Sequence, residues 1–327
     1  MILEGLSQTQ ALVKQLYKDE EGNPLQLSKG QDYIFRSIAR KEVPRVHVMC
    51  HTRFGKSLTV GLGVLTRAAS FPESWAIIAG TKDKSKIIMD HVISHIFDND
   101  FTASRFMPDK GESIDSIRRH RNKNRITFRV GSKNVPIGTS GSAFEKLNLY
   151  SDIFIGSAKD ALGKGAKNII EDESALIPDN EHSLVMRMLG DNPYENFLCK
   201  IGNPFTRGHF LDSYHDPKYR KIVIDCYKSL QEGRMTQDTI DENRPYAYFD
   251  VLYECKFPSA TSIDDSGWMY LLTDNEVKQS QQRKLDPAGV QKLGIDVQRG
   301  GRNFNVWVVR TNTTAEIVKK TRESNLI

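Results

Sequence analysis

Cysteine is sparse in this chain, and none of it is spaced to hold a metal. Cys50, Cys199, Cys226 and Cys255 lie far apart and form no C-x-x-C pair. That excludes a disulfide-stapled scaffold and a cysteine zinc site, and leaves ordinary reduced thiols. Long apolar runs are missing too: none approaches the ~20 residues that cross a bilayer. The opening Met1-Ile-Leu-Glu-Gly-Leu-Ser-Gln lacks the charged head and extended apolar core of a secretory signal. A chain without these features is expected to stay in the compartment where it is made and to have no membrane partner. Internal repeats and low-complexity tracts are absent, which excludes a solenoid or a disordered linker protein. What remains is a globular composition, 39% hydrophobic and 27% charged, in 327 residues, enough for two domains and a sizeable core.

The net charge of +5 is too mild to name a partner, but its distribution is uneven. The run Arg118-Arg-His-Arg-Asn-Lys-Asn-Arg125 carries Arg118, Arg119, Arg121, Lys123 and Arg125 with no carboxylate among them, just ahead of the strand-like residues 126–130. Such a loop is either a solvated surface or a contact for phosphate, and composition alone leaves both open.

Apolar spacing predicts two short helices over residues 6–16 and 29–39. From Pro44 on, strand-like runs alternate with helical ones: strand 46–49, helix 56–70, strand 75–79, helix 82–97, then strands near 126–130, 153–156, 168–170 and 197–201. That rhythm predicts an α/β domain with a mostly parallel sheet flanked by helices. The texture changes after Pro204. Residues 206–257 are richer in aromatics and charge, with helical spacing over 222–233 and 236–243, and read as a helical lid on a core of about residues 25–205. Residues 258–290 are polar around a small apolar anchor, Trp268-Met-Tyr-Leu-Leu272, and read as a linker. New strands begin at Lys292-Leu-Gly-Ile-Asp-Val297 and Asn305-Val-Trp-Val-Val-Arg310, opening a further segment over 291–327.

The chemistry concentrates where the first strand meets its helix, in Val46-His-Val-Met-Cys-His-Thr-Arg-Phe-Gly-Lys-Ser57. Arg53, Phe54, Gly55, Lys56 and Ser57 make the second half of a P-loop. In such a loop, backbone N–H groups surround phosphates, the lysine neutralises the β and γ oxygens, and the serine hydroxyl ligates Mg²⁺. The pattern G-x-x-x-x-G-K-[ST] is broken at its first position, which is Cys50. A P-loop also calls for an acid at the end of a neighbouring strand, and Asn168-Ile-Ile-Glu-Asp-Glu-Ser174 has one. Asp172 would hold Mg²⁺, and Glu173 would orient and deprotonate the attacking water. Taken alone, the acidic triplet also fits a helix cap. Glu171 makes two alignments available. Ile169 and Ile170 close the apolar strand, which leaves Glu171 as its last, outward-alternating residue and favours Asp172 and Glu173 for the chemistry. Phe197-Leu-Cys-Lys-Ile-Gly-Asn-Pro204 ends a strand in a polar turn, where the Asn203 amide could sense the γ-phosphate or the turn could be only a turn. Gln31, in Ser28-Lys-Gly-Gln-Asp-Tyr33, has an amide suited to the edge of adenine.

Taken in order, Gln31, the loop 53–57, Trp75-Ala-Ile-Ile-Ala-Gly-Thr81, Ile169-Ile-Glu-Asp-Glu173, Ile201-Gly-Asn203 and Leu293-Gly-Ile-Asp-Val297 resemble the large terminase subunit of tailed bacteriophages over nearly the whole chain. The resemblance implies a P-loop NTPase of the RecA/ASCE kind over residues 1–257, a motor ATPase that drives double-stranded DNA into an empty procapsid. It implies next the first strands of an RNase H-like, metal-dependent nuclease that cuts the concatemer. Such motors tolerate loss of the first P-loop glycine. By the resemblance, Gln31 lies on the adenine side, Lys56 and Ser57 serve the phosphates and Mg²⁺, Asp172 and Glu173 are the acidic pair, and Gly202 with Asn203 is the coupling turn. The implied partners are double-stranded DNA, the portal protein, a small terminase subunit and further copies of the chain in a ring, with an arginine supplied by the neighbouring copy. The implied location is the cytoplasm of the infected host, transiently at the procapsid portal.

Asp296 matches the first carboxylate of the nuclease site, where several carboxylates hold two divalent metals, Mg²⁺ or Mn²⁺. Only Glu316 and Glu323 come after it. The chain therefore reads as truncated within the nuclease, with the motor complete and endonuclease activity absent. A helicase or restriction-type translocase shares the Gln, P-loop and Asp-Glu elements, but calls for a second RecA-like domain that residues 205–290 are too short to supply. A nucleotide-binding assembly protein that does not hydrolyse is the remaining alternative, opposed by the intact Lys56, Ser57, Asp172 and Glu173.

Overall fold

The N-terminal apolar spacing is realised as α1 (Ile2–Leu16) and α2 (Lys29–Arg40), the second started by a Ser28/Gln31 capping box and stopped by Lys41 in the left-handed region at φ 50°. The structure is a computed structural model. It describes residues 2–120, 123–137, 143–190, 192, 195–258, 279–280, 282, 286–296 and 305–321, and of residues 2–7, 118, 120, 136–137 and 143–144 the backbone alone. The chain divides into two units, Met1–Pro258 and Ser259–Ile327.

In the first unit, β1 (Arg45–Cys50) leads into α3 (Lys56–Ala68), β2 (Ser74–Ala79) into α4 (Lys82–His95), and the short α5 (Asp100–Ala103), β3 (Phe106–Met107) and α6 (Ile114–His120) come next. After them are β4 (Arg125–Ile137), β5 (Ala143–Ser157), β6 (Asn168–Asp172), α7 (Asp179–Met188), β7 (Phe197–Gly202) and α8 (Gly208–His215). The unit closes with β8 (Arg220–Ile224), α9 (Cys226–Gln231), α10 (Gln237–Asn243) and α11 (Phe249–Leu252). The strands form one sheet in the order β3-β4-β5-β2-β6-β7-β1-β8, parallel from β5 to β8 and antiparallel at the β3-β4-β5 edge. This is the mostly parallel, helix-flanked sheet that the sequence predicts.

Strand alternation divides the core between the two faces. Val46, Val48, Ile77 and Ile170 pack with Ile34, Phe35 and Ile38 of α2, Val60 and Val64 of α3 and Ile88 of α4. Ala76, Ile78, Ile169 and Leu198 face the other way, against Val185 and Met188 of α7. Such strands, covered on both sides, read as continuous apolar runs, which is why β1, β2 and β7 are legible in the sequence.

Two elements depart from the sequence reading. Helical spacing over 222–233 predicts a helix there, yet Ile222, Val223 and Ile224 lie in β8, a parallel strand against β1, and α9 starts only at Cys226. Pairing with β1 decides for the strand, a conformation that β-branched residues accept, and Asp225 caps the helix behind it. The second departure is larger: the expected strands 126–130 and 153–156 are the inner ends of a long β4–β5 hairpin. Its outer part is largely exposed on both faces, and its apolar residues, Val135 and Leu147 among them, form no continuous apolar run to read.

In the second unit, β9 (Lys292–Asp296), β10 (Asn305–Arg310) and β11 (Ala315–Thr321) form an antiparallel sheet in the order β11-β10-β9. The apolar anchor at Trp268 to Leu272 and the stretch Gln298 to Gly301 lie outside the described residues.

One buried group on β1 makes the fold sensitive to acid. His47 is fully buried, with ring centroids 4.2 Å from Phe210 and 5.6 Å from Tyr214, and its Nδ1 meets the Ser213 hydroxyl at 3.1 Å. Burial, aided by the Lys200 charge, pushes its pKa from 6.5 down to about 3. Between those values the unfolded chain binds a proton that the folded chain refuses, so stability falls as pH drops through that window. In urea unfolding between pH 6.5 and 5, His47→Phe is expected to flatten the acid-side slope by up to about 1.4 kcal/mol per pH unit. An unchanged slope would show that His47 is not buried in its neutral form.

Candidate active site

The strand order places β6, β7 and β1 side by side and parallel, so the acidic triplet, the Gly-Asn turn and the P-loop leave the sheet at the same edge. The loop after β1 is held by backbone bonds from the segment that closes the unit: His51 N–H donates to Ile224 O at 3.0 Å and Thr52 N–H to Leu252 O at 2.8 Å. Arg53 and Gly55 both adopt positive φ, 60° and 86°. Gly55 is required twice over, because a Cβ there would also lie 2.7 Å from Gln31 Nε2. Cys50, by contrast, is the last residue of a regular strand and is fully buried, with a thiol pushed up to about 12 by burial. Its backbone asks nothing that only glycine can give, so the strand end accommodates a cysteine at this position.

Lys56 opens α3 and is the hub of the site. Its Nζ lies 2.5 Å from Glu173 Oε1 and donates to Asn203 Oδ1 at 3.0 Å. The Asn203 amide is aimed by its other end, since Nδ2 donates to Cys50 O at 3.1 Å and Leu252 O at 3.3 Å. Burial acts most strongly and lowers the Lys56 pKa, but the Glu173 charge and hydrogen bond, with Cys50 and Asp172, together outweigh it and hold the ammonium above its ordinary value. For Asp172, burial reinforced by the Glu173 charge pushes the carboxyl up to about 7. Asp172 Oδ1 and Glu173 Oε2 are buried with no hydrogen-bond partner among the described residues. Bare carboxylate oxygens, with the Ser57 hydroxyl next along from Lys56, are the hard-oxygen donors that suit Mg²⁺.

Glu173 sits in the left-handed region at φ 46°, a strained conformation for a non-glycine residue. Gly202 lets it pack there: a Cβ on that residue would come within 3.1 Å of Glu173 Cα and 3.2 Å of Ser174 N. Gln31 is also brought to the site, 2% exposed, but its amide is engaged. Its Nε2 donates to Phe54 O at 3.0 Å and its Oε1 accepts from Ser28 N at 3.0 Å.

Glu171 corrects the sequence reading. The strand runs one residue further than expected, and Glu171 is not outward but wholly buried on the face opposite Asp172. It accepts from Ser174 Oγ at 2.7 Å and pairs with His182 Nδ1 at 2.8 Å. Burial acts to raise its pKa, but the His182 contact prevails and lowers it. His182 stacks on His209 at 3.9 Å between centroids, and His209 Nδ1 accepts from Lys200 Nζ at 2.9 Å while Nε2–H donates to Ile177 O at 2.8 Å. Glu171, His182 and His209 are spaced like metal ligands. With both His209 nitrogens already engaged, the group works as a hydrogen-bonded brace under the acidic turn and does not fit a metal. The one clue in the sequence was Lys200, a charge inside an apolar strand.

The basic run is dispersed. Its beginning is the end of α6 and not a loop, with Arg119 exposed; the side chain of Arg118 and the whole of Arg121 lie outside what is described. Lys123 is ion-paired with Asp109 at 2.5 Å and with Glu112, and Arg125 Nη2 binds Asp152 at 2.8 Å. Carboxylates remote in sequence thus neutralise two of the five cations. Asp296 ends β9 opposite Val306 and is exposed.

No family model matches the chain, and no curated protein matches it in sequence. Solved structures do share its fold. The large terminase of bacteriophage HK97 superposes with a TM-score of 0.56 at 11% identity, over 95% of this chain and 66% of that one. The large terminase of a thermophilic bacteriophage gives 0.51 at 12% identity, over 90% and 68%. The same protein in complex with ATP-gamma-S gives 0.50 at 12% identity, over 90% and 67%. The chain thus spans about two thirds of the length of these terminases and is similar to them in fold.

The packing of Glu173 on Gly202 is open to test. Gly202→Ala is expected to lower stability by about 1–3 kcal/mol through overpacking against the acidic turn. A urea midpoint within error of the parent would mean that the turn yields freely.

Proposed function

We propose that this chain is the ATP-hydrolysing motor subunit of a phage DNA-packaging machine, a large terminase. The observation that carries this reading is Lys56, which touches both Glu173 and Asn203 from a loop that leaves the sheet at the same edge as the acidic turn. The shared fold supports it. ATP phosphates would enter between the loop 51–57 and the acidic turn. To meet them, Lys56 must turn from Glu173 toward the β and γ oxygens, which frees the Glu173 carboxylate to orient water and take its proton. Asn203 loses its Lys56 contact in the same event and stays tethered to Cys50 and Leu252, so hydrolysis is felt where residues 205–257 brace the loop. Ser57 and Asp172 would hold Mg²⁺, which when bound would supply charge neutralisation on the phosphates. Gln31 would meet adenine through the second N–H of its amide, the first being held by Phe54 O.

In this reading the substrate moved is double-stranded DNA, gripped through its backbone and therefore without sequence preference and with steep salt dependence. The portal protein, a small terminase subunit and a ring of like subunits are the remaining partners, in the cytoplasm of the infected host. Among the described residues no helix is long and apolar enough to cross a membrane. In the full-length protein, Asp296 would be the first carboxylate of an RNase H-like nuclease that binds two divalent metals.

Glu173→Gln is expected to reduce ATP turnover by a hundredfold or more, the scale of a lost general base, while binding of a fluorescent ATP analogue is retained. Lys56→Ala is expected to lose that binding. Unchanged turnover in Glu173→Gln overturns the catalytic assignment, and analogue binding without turnover in the parent chain favours a non-hydrolysing assembly protein.

A further inference from the structure

The β4–β5 hairpin carries a feature that the nucleotide site does not use. β2 begins to pair with β5 only at Asp152, so Ala143 to Ser151 run on past the sheet, about 30 Å at roughly 3.4 Å per residue. They project from the edge opposite the one that carries Lys56 and Asp172. At the base of this projection lies an open cavity of about 350 Å³, lined by Arg105, Arg129, Ser132, Lys146 and Asn148 around the backbone of Val130 and Gly131. No carboxylate among the described residues lines it.

A β-bulge builds the cavity. Arg129 pairs with Tyr150, and after the register shift Gly131 pairs with Leu149, Ser132 with Asn148 and Asn134 with Lys146. Regular alternation would put Arg129 and Ser132 on opposite faces; the extra residue puts both on the face that holds Tyr150, Asn148 and Lys146. The third cation comes from the neighbouring edge. Arg105 O accepts from Arg129 N–H at 2.8 Å, while its guanidinium lies 3.9 Å over the Phe101 ring and donates to Phe101 O at 3.3 Å. The two acids of β5 do not cancel this charge. Asp152, on the same face, is bound to Arg125, and Glu145, opposite Val135, lies on the other face.

We propose that this cavity binds the phosphodiester backbone of a nucleic acid. Three cations, two on adjacent strands and Arg105 in the turn before β3, with hydroxyl and amide donors between them and room for roughly ten waters, exceed what one inorganic phosphate occupies. Tyr150 on the same face is half exposed, a flat surface for a sugar or base beside the phosphates. The choice of duplex over single strand rests on the packaging reading above. The site differs from the basic run at 118–125, of which Lys123 and Arg125 are held by carboxylates.

The test measures Kd for a labelled random-sequence duplex between 50 and 200 mM salt, with the 327-residue chain, Arg129→Ala/Lys146→Ala, and Lys133→Ala on the hairpin's other face as control. The double variant is expected to bind about tenfold more weakly at low salt, with the slope of log affinity against log salt reduced by about two, and the control to change less than twofold. Thermal midpoint and ATP turnover without DNA should match the parent in both. An unchanged slope in the double variant, or an equal loss in Lys133→Ala, overturns the proposal. So does loss of inorganic phosphate binding with duplex affinity intact, which would mark a small-anion site. If the packaging reading is wrong, that shows separately as a parent chain that does not turn over ATP.

Discussion

The ion pair between Lys56 and Glu173 is the contact on which the candidate site depends, and it exists because three strands are neighbours in space and strangers in sequence. β6 delivers the acid, β7 the Gly-Asn turn and β1 the lysine, and parallel pairing brings all three to one edge. Parallel order needs a crossover between each pair of strands, and the helices that make those crossovers, α3, α4 and α7, are the same ones that bury the sheet. Core packing and site assembly are therefore one requirement. A change that shifted α3 against the sheet would move Lys56 with it.

Much of this was legible in the residues because buried parallel strands announce themselves as short apolar runs, and because Gly55-Lys56-Ser57 and Asp172-Glu173 are chemical types with few other uses at strand ends. The hairpin was not, since its outer residues are largely exposed and its pairing is fixed by register with a partner strand and not by burial. β8 was hidden for another reason: Ile222, Val223 and Ile224 fit a helix stripe or a strand equally well, and only contact with β1 decides. The role of Glu171 was missed because its partners, His182 and Lys200, come from α7 and β7, and no local spacing links them.

The closing segment is more than a lid. Ile224 and Leu252 carbonyls accept from the loop's own backbone, Asn203 is held by Leu252, and His51 Nε2 meets the Ser229 hydroxyl at 2.6 Å. Backbone groups that a P-loop leaves exposed on its outer side are thus satisfied by residues 224–252, and the inner side is left facing the acidic turn.

Gln31 is a single side chain with two jobs. Its amide oxygen closes the capping box that starts α2, and its amide nitrogen holds the Phe54 carbonyl. At the same helix end, Gly30 N–H donates to the Glu232 carboxylate at 3.1 Å. A chain of three short bonds therefore runs from the loop through a helix terminus to a residue far along the sequence. Phe54 and the first turn of α2 are thus fastened to one another, and a side chain at position 31 that lacked either amide atom would lose the tie to the loop or the cap of the helix.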